Sequence, residues 1–197
     1  PDDLYWEVKE GPKEDLSGNE EYYSFHLPAT TNQVKAVTAV ILKDSPEQKE
    51  LPHIECREGK DWIGIHMTYK GKVTDLYINQ LADGRLMHLN SWIEADGWAT
   101  DAYMLAVTYH EGDDMTNPGE IFIGHGSALR RGDDVRYSSL SKLNLIARGN
   151  GRSLDLNVTG QPRVNLRYKA SPASLNVNGK ATKIERDGNI IKVKYHE

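Results

Sequence analysis

A chain of 197 residues with a hydrophobic share of 38% and a formal net charge of −5 is long enough to bury a core without metals or disulfides. Its acidic balance argues against nucleic acid as a main partner, although a local basic patch could still hold an acidic polymer. The single cysteine, Cys56, excludes an internal disulfide, and no apolar run approaches the ~20 residues of a membrane span. The chain opens at Pro1 with neither an initiator methionine nor a signal peptide, which suggests a processed protein or a piece of a longer one.

Taken in chain order, the hydrophobic pattern has the two-residue period of half-buried strands. Leu4–Lys9 is the first predicted strand, followed by a polar segment and then by Glu21–Leu27 and Val34–Leu42. After a polar loop at Ser45–Glu50 come Asp61–Tyr69, Val73–Asn79, Arg85–Asn90, Ala102–Tyr109 and Glu120–Gly124, with a second, acidic loop at Gly112–Gly119. The later strands are Lys142–Ala147, Ser153–Val158, Arg163–Tyr168, Ser174–Val177, Thr182–Arg186 and Asn189–Tyr195. Lys70-Gly71, Asp83-Gly84, Asp96-Gly97, Asn178-Gly179 and Asp187-Gly188 are hairpin candidates, because such pairs tolerate positive φ. No stretch carries an amphipathic helical stripe. The expected fold is all-β, an antiparallel two-sheet β-sandwich. Residues 1–150 form its main part and 151–197 a set of terminal meander strands in the same domain, with the composition shift at Arg148–Arg152.

Four groups of residues invite a chemical reading. His66, His88, His110 and His125 lie on or beside predicted strands, but none has a metal-ligand spacing such as His-x-His. Hydrogen-bonded or surface histidines are therefore the expected reading, no cofactor is called for, and zinc or calcium is left open. Alternation places His66 with Trp62 and Gly64, opposite Ile63, Ile65 and Met67, so His66 is expected on the more open face. Trp92 and Trp98 flank the turn Glu94–Gly97, with Arg85 and His88 on the strand before. An indole can stack on a sugar ring while arginine grips a carboxylate or sulfate. Arg85, His88, Trp92 and Trp98 are thus the candidate saccharide contacts, and a packed core tryptophan is the competing reading for Trp98.

Gly124–Arg131 contains Gly-x-Gly and Gly126-Ser127, yet it lacks both the helix that a phosphate loop needs and the Gly-x-Ser-x-Gly of a hydrolase elbow. Its glycines are expected to allow a bulge or a close strand crossing, and Arg130 and Arg131 to pair locally with Asp133 and Asp134. The carboxylates are too scattered for spacing to nominate a glycosidase pair.

The series Asp61-Trp62-Ile63-Gly64-Ile65, Asp75–Asn79, Asp83-Gly84-Arg85 and Ala99–Val107, closed by Gly124–Leu129, resembles the C-terminal β-sandwich of heparinase II/III-like polysaccharide lyases. Phe25-His26-Leu27 and the strand and loop after it are similar to the middle of that domain, and the likeness covers roughly residues 20 to 130. The resemblance implies a secreted or periplasmic bacterial protein acting on acidic polysaccharide by β-elimination. It also implies a helical toroid upstream in the same protein. In such lyases the Tyr, Asn and His that abstract the proton and neutralise the uronate come largely from the toroid. No family catalytic motif can be placed on this chain, so a domain without catalytic residues is expected, supporting the toroid and lining the sugar cleft. A stand-alone carbohydrate-binding module and a structural or adhesion domain are the alternatives.

Overall fold

Alternating burial along each strand builds the structure. In Ser153–Thr159, Leu154, Leu156 and Val158 are buried between the more exposed Ser153, Asp155, Asn157 and Thr159. The protein, seen in a computed structural model, is described over residues 5–10, 21–26, 45, 47, 49–82, 91–111, 113, 117–161 and 163–196. It divides into two compact units, Pro1–Thr38 and Ala39–Glu197. In the first, β1 (Tyr5–Glu10) and β2 (Glu21–His26) pair antiparallel, with Tyr5 opposite His26 and Glu10 opposite Glu21. The expected strands Val34–Leu42 and Arg85–Asn90 and the Asp83-Gly84 turn lie outside the described residues.

The second unit is all-β among its described residues. Its strands are β3 (His53–Glu58), β4 (Trp62–Tyr69), β5 (Lys72–Asn79), β6 (Ile93–Ala95), β7 (Trp98–Thr100) and β8 (Met104–His110). After them come the long β9 (Glu120–Arg131) and β10 (Asp134–Gly149), then β11 (Ser153–Thr159), β12 (Arg163–Lys169) and β13 (Ser174–Val177). The short β14 (Lys180–Ala181) and β15 (Glu185–Asp187) precede β16 (Ile190–His196). All fourteen join one hydrogen-bonded sheet in the order β14-β13-β11-β10-β9-β8-β5-β4-β3. Off that path, β12 links β10 to β16, β15 pairs with β16, and the β6–β7 hairpin pairs with β9. Every pairing is antiparallel except β11 with β13, which is parallel and departs from the all-antiparallel expectation. The terminal strands 151–197 are continuous with this sheet through β10.

Several turns follow their chemistry. Asp96-Gly97 has φ values of 48° and 83°, the two positive angles of a type I′ hairpin whose twist suits the flanking strands. Lys70-Gly71 and Asn178-Gly179 share this pattern. Two expected strands proved to be pieces of longer ones. Glu120–Gly124 extends to Arg131 and Lys142–Ala147 begins at Asp134, joined by a turn at Gly132-Asp133. The charged run had disguised them, because its residues face outward or lie over aromatic rings instead of ending the strand.

The β9–β10 ladder is irregular where the glycine motif sits. Its register shifts between Ser138, Leu143 and Leu145, and His125 adopts φ 52°. A Cβ at Gly126 would stand 2.7 Å from the Ala102 Cβ and 2.7 Å from the Ile123 methyl. The bulge and close crossing expected of these glycines are therefore present.

A buried carboxylate holds this bulge. Asp101, 7% exposed, accepts the Ser127 and Ala128 backbone N–H groups on Oδ1 at 2.8 and 2.9 Å and the Ser127 hydroxyl on Oδ2 at 2.6 Å. Lys142 Nζ stands 3.7 Å from that carboxylate and donates to the Asp101 carbonyl at 3.1 Å. The Thr100 hydroxyl donates to the Ala128 carbonyl at 2.7 Å, and the Tyr137 hydroxyl donates to the Gly126 carbonyl at 3.2 Å. Ser127 is thus a structural partner of Asp101.

The core gathers Trp98, Leu105, Val107, Ile123, Leu129, Leu143, Leu145, Leu166 and Ile191. Each buried aliphatic side chain contributes about 1.5–3 kcal/mol relative to exposure. Trp62 reaches Tyr77 edge-on, with centroids 5.1 Å apart. The Trp62–Gly64–His66 face of β4 is therefore the core side, whereas Ile63, Ile65 and Met67 lie half-buried on the other face. This reverses the expectation that His66 faces the more open side, because the indole and the close approach of Gly64 to the Leu76 carbonyl draw that face inward.

Asp101→Ala is expected to destabilise the protein by about 3–5 kcal/mol, since it leaves Lys142 and two amides facing a void. Asp101→Asn should cost less, and urea denaturation measures both. Asp134 supplies the pH dependence. Its hydrogen bond from Lys169, with the Lys169 and Arg136 charges, holds its carboxyl below the usual aspartate range. A depressed carboxylate contributes stability above its unfolded value and loses it as pH falls through its folded value. Being part-exposed, this pair is worth under about 1 kcal/mol. The stability gap between wild type and Lys169→Met should therefore be present near neutrality and close in acid.

Candidate functional site

The β6–β7 hairpin carries the candidate site, and strand register decides what each of its faces presents. Glu94 is opposite Ala99, which is opposite Arg130; Ala95 is opposite Trp98, which is opposite Arg131. Trp92, two residues before Glu94, extends the outward row. There the Arg130 guanidinium lies 5.3 Å from the Trp92 ring centroid and 3.9 Å from Glu94 Oε1. Trp92 is 43% exposed, so the indole offers an apolar surface beside a cation.

The inward row behaves differently. Trp98 is 1% exposed, donates its indole N–H to the Tyr109 hydroxyl at 3.3 Å and is covered by Arg131 at 4.9 Å. Its ring has no surface left for a sugar, so the packed-core reading describes it and its place among the saccharide contacts is corrected. Arg85 and His88 lie outside the described residues. The expected local pairing of Arg130 and Arg131 with Asp133 and Asp134 is replaced by Glu94 and Trp92 for the first arginine and Trp98 and Tyr109 for the second.

Asn79, which is fully buried, fixes where Trp92 emerges. Its amide N–H groups donate to the Ser91 and Ala102 carbonyls at 2.5 and 3.1 Å, and its carbonyl accepts the Leu81 N–H at 2.9 Å. One side chain thereby ties the end of β5 to the residue preceding Trp92.

Beneath the hairpin turn lies a polar network that sequence reading missed. The His66 Nδ1–H donates to Asp75 Oδ1 at 2.6 Å, and Arg57 Nη1 stands 3.8 Å from the same oxygen and 3.5 Å from Asp96 Oδ2. The Tyr77 hydroxyl donates to Asp96 at 2.9 Å. Burial, aided by the charges of Asp75 and Asp96, holds the Tyr77 hydroxyl far above the usual tyrosine value. Tyr77 is thereby kept as a donor to Asp96. The signal was present as Asp75 and Tyr77 on alternate positions of one strand. Their partners come from β3, β4 and the Asp96 turn, which only the sheet order brings near.

Among the described residues no three His, Cys, Asp or Glu side chains converge on a metal position. A depression of about 450 Å³ under the turn is lined by Glu94, Asp96 and Asp133 together with Arg130. That balance directs an anionic group toward the Arg130 edge of Trp92 and away from the turn itself. Chemically, the arrangement can stack a ring and grip one oxyanion. No protein-family model matches the chain, and no curated protein matches it.

Asn79→Ala is expected to lower stability by about 2–3 kcal/mol, because it orphans buried carbonyls and an amide. A change below about 0.5 kcal/mol in urea denaturation, the range of ordinary surface substitutions, would contradict its anchoring role.

Proposed function

We propose that this chain is the C-terminal β-sandwich domain of a secreted or periplasmic bacterial polysaccharide lyase of the heparinase II/III-like kind, and that it binds acidic polysaccharide without performing the elimination. In that reading an upstream helical toroid of the same protein supplies the catalytic groups, and the Trp92 face lines the sugar cleft. The observation that carries it is the exposed Trp92 indole with the Arg130 guanidinium against it, on the outward row of a rigidly registered hairpin. An aromatic platform suits the apolar face of a sugar ring, and an adjacent arginine suits its carboxylate or sulfate. The same face would serve a stand-alone carbohydrate-binding module, and an upstream helical domain in the full reading frame separates the two.

Incubation of the chain with alginate and glycosaminoglycan oligosaccharides is expected to release no unsaturated product absorbing in the ultraviolet. Tryptophan fluorescence should report saturable binding of the same oligosaccharides, weakened roughly tenfold in Trp92→Ala, as for a stacked aromatic that also positions a cation. Robust turnover by the chain alone contradicts the non-catalytic role, and unchanged affinity in Trp92→Ala removes the contact site.

A further inference from the structure

The Arg130 guanidinium is held on its face and unspent along its edge. The Trp92 ring lies against it at 5.3 Å, while among the described residues no side chain accepts a hydrogen bond from its N–H groups. The carboxylate paired with it, Glu94, stands 3.9 Å away, well beyond the ~2.8 Å of a charge-assisted hydrogen bond. Strand register explains the gap. Glu94 on β6 and Arg130 on β9 flank Ala99 on β7, so two strand spacings, about 10 Å, separate their backbones. Both side chains reach across that short residue without being packed, Glu94 being 83% and Arg130 48% exposed.

An ion pair this open contributes little to stability and gives way to a better acceptor. A ligand carboxylate that takes two parallel N–H···O bonds from the guanidinium is such an acceptor. Once displaced, Glu94 is a free carboxylate beside a bound sugar ring, with two oxygens that accept hydrogen bonds and none that donates. It therefore attracts hydroxyl groups and repels a second anionic group.

We propose that Glu94 is a specificity-determining residue of the Trp92 face. It yields Arg130 to the carboxylate of a uronate, accepts that sugar's hydroxyls, and rejects the same sugar when those hydroxyls carry sulfate. This role rests on the reading of the face as a saccharide contact, and it narrows the ligand from acidic sugars in general to unsulfated uronates. Selectivity of this kind comes from a repulsive group set beside an attractive one.

Tryptophan fluorescence titration of the full chain with an unsulfated chondroitin tetrasaccharide, and with its fully O-sulfated counterpart at equal ionic strength, tests this directly. The wild type is expected to bind the unsulfated form at least about tenfold more tightly, although the sulfated form carries more charge. Glu94→Gln, which keeps the shape and removes the charge, should strengthen binding of the sulfated form about tenfold, as one like-charge contact is relieved. It should change the unsulfated form by less than about threefold, because the freed Arg130 offsets the weakened hydroxyl bonds. Glu185→Gln removes the same charge from exposed β15, separated from β9 by β10, β12 and β16, and should leave both affinities unchanged. Loss of all binding and loss of selectivity are separate outcomes. Binding of neither tetrasaccharide to wild type removes the saccharide contact, and the role of Glu94 with it. Equal affinity for the two, tighter binding of the sulfated form, or a preference that survives Glu94→Gln undiminished overturns the role of Glu94 and leaves the contact standing.

Discussion

The carboxylate of Asp101 is the constraint on which the candidate site depends. It follows β7 directly and accepts the two successive amides at which β9 resumes after its bulge. With the Thr100 hydroxyl on the Ala128 carbonyl, it fixes Thr100 opposite Leu129, and hence Ala99 opposite Arg130 and Trp98 opposite Arg131. Strand side chains alternate faces, so a slip of one residue would exchange the two arginines. Arg131 would then leave Trp98, and Arg130 would leave Trp92. A buried ion is weak evidence for stability in itself, and its best-attested use is to specify register. Asp101 fits that use, because every oxygen of its carboxylate is spent on backbone or side-chain groups of β9, with Lys142 close by.

Register alone does not place Trp92, which stands before β6. Asn79 does so from the other side of the structure by holding the Ser91 carbonyl. It also holds the Ala102 carbonyl, next in sequence to Asp101. Two buried polar side chains, one on β5 and one after β7, thereby fasten the two ends of the hairpin. The aromatic platform inherits rigidity from hydrogen bonds made entirely beneath it, which lowers the ordering cost when a ligand arrives.

Strand existence was legible in the sequence wherever one face is dry and the other wet. Leu154, Leu156 and Val158 alternate with Asp155 and Asn157, and β11 forms there. Turn chemistry was equally plain at Lys70-Gly71, Asp96-Gly97 and Asn178-Gly179, where φ must be positive. The face of β4 was not legible, because both of its rows carry apolar residues and alternation alone cannot say which row meets the core. Trp62 against Tyr77 decided it. The site was legible only in part. Trp92 stands out as an exposed aromatic, but its cation comes from Arg130, 38 positions later. Likewise Thr100-Asp101 and Gly126-Ser127 were both conspicuous, and only the fold reveals that they are two halves of one clamp. Contacts of this span depend on sheet order, which local periodicity does not encode.

Among its described lining residues, carboxylates outnumber cations in the hollow under the hairpin turn. On a chain of net charge −5, such local placement matters more than the total, since exposed charges beyond about 10 Å are largely screened. The central claim, that Asp101 sets the β7–β9 register, is tested most directly by native-state hydrogen exchange at the Ser127 and Ala128 amides. In the wild type both should exchange as slowly as core amides such as Val107. In Asp101→Ala, which removes the accepting oxygen, they should exchange markedly faster, and by more than Val107 does. Rapid exchange of Ser127 and Ala128 in the wild type, or protection in Asp101→Ala undiminished relative to Val107, would contradict the account.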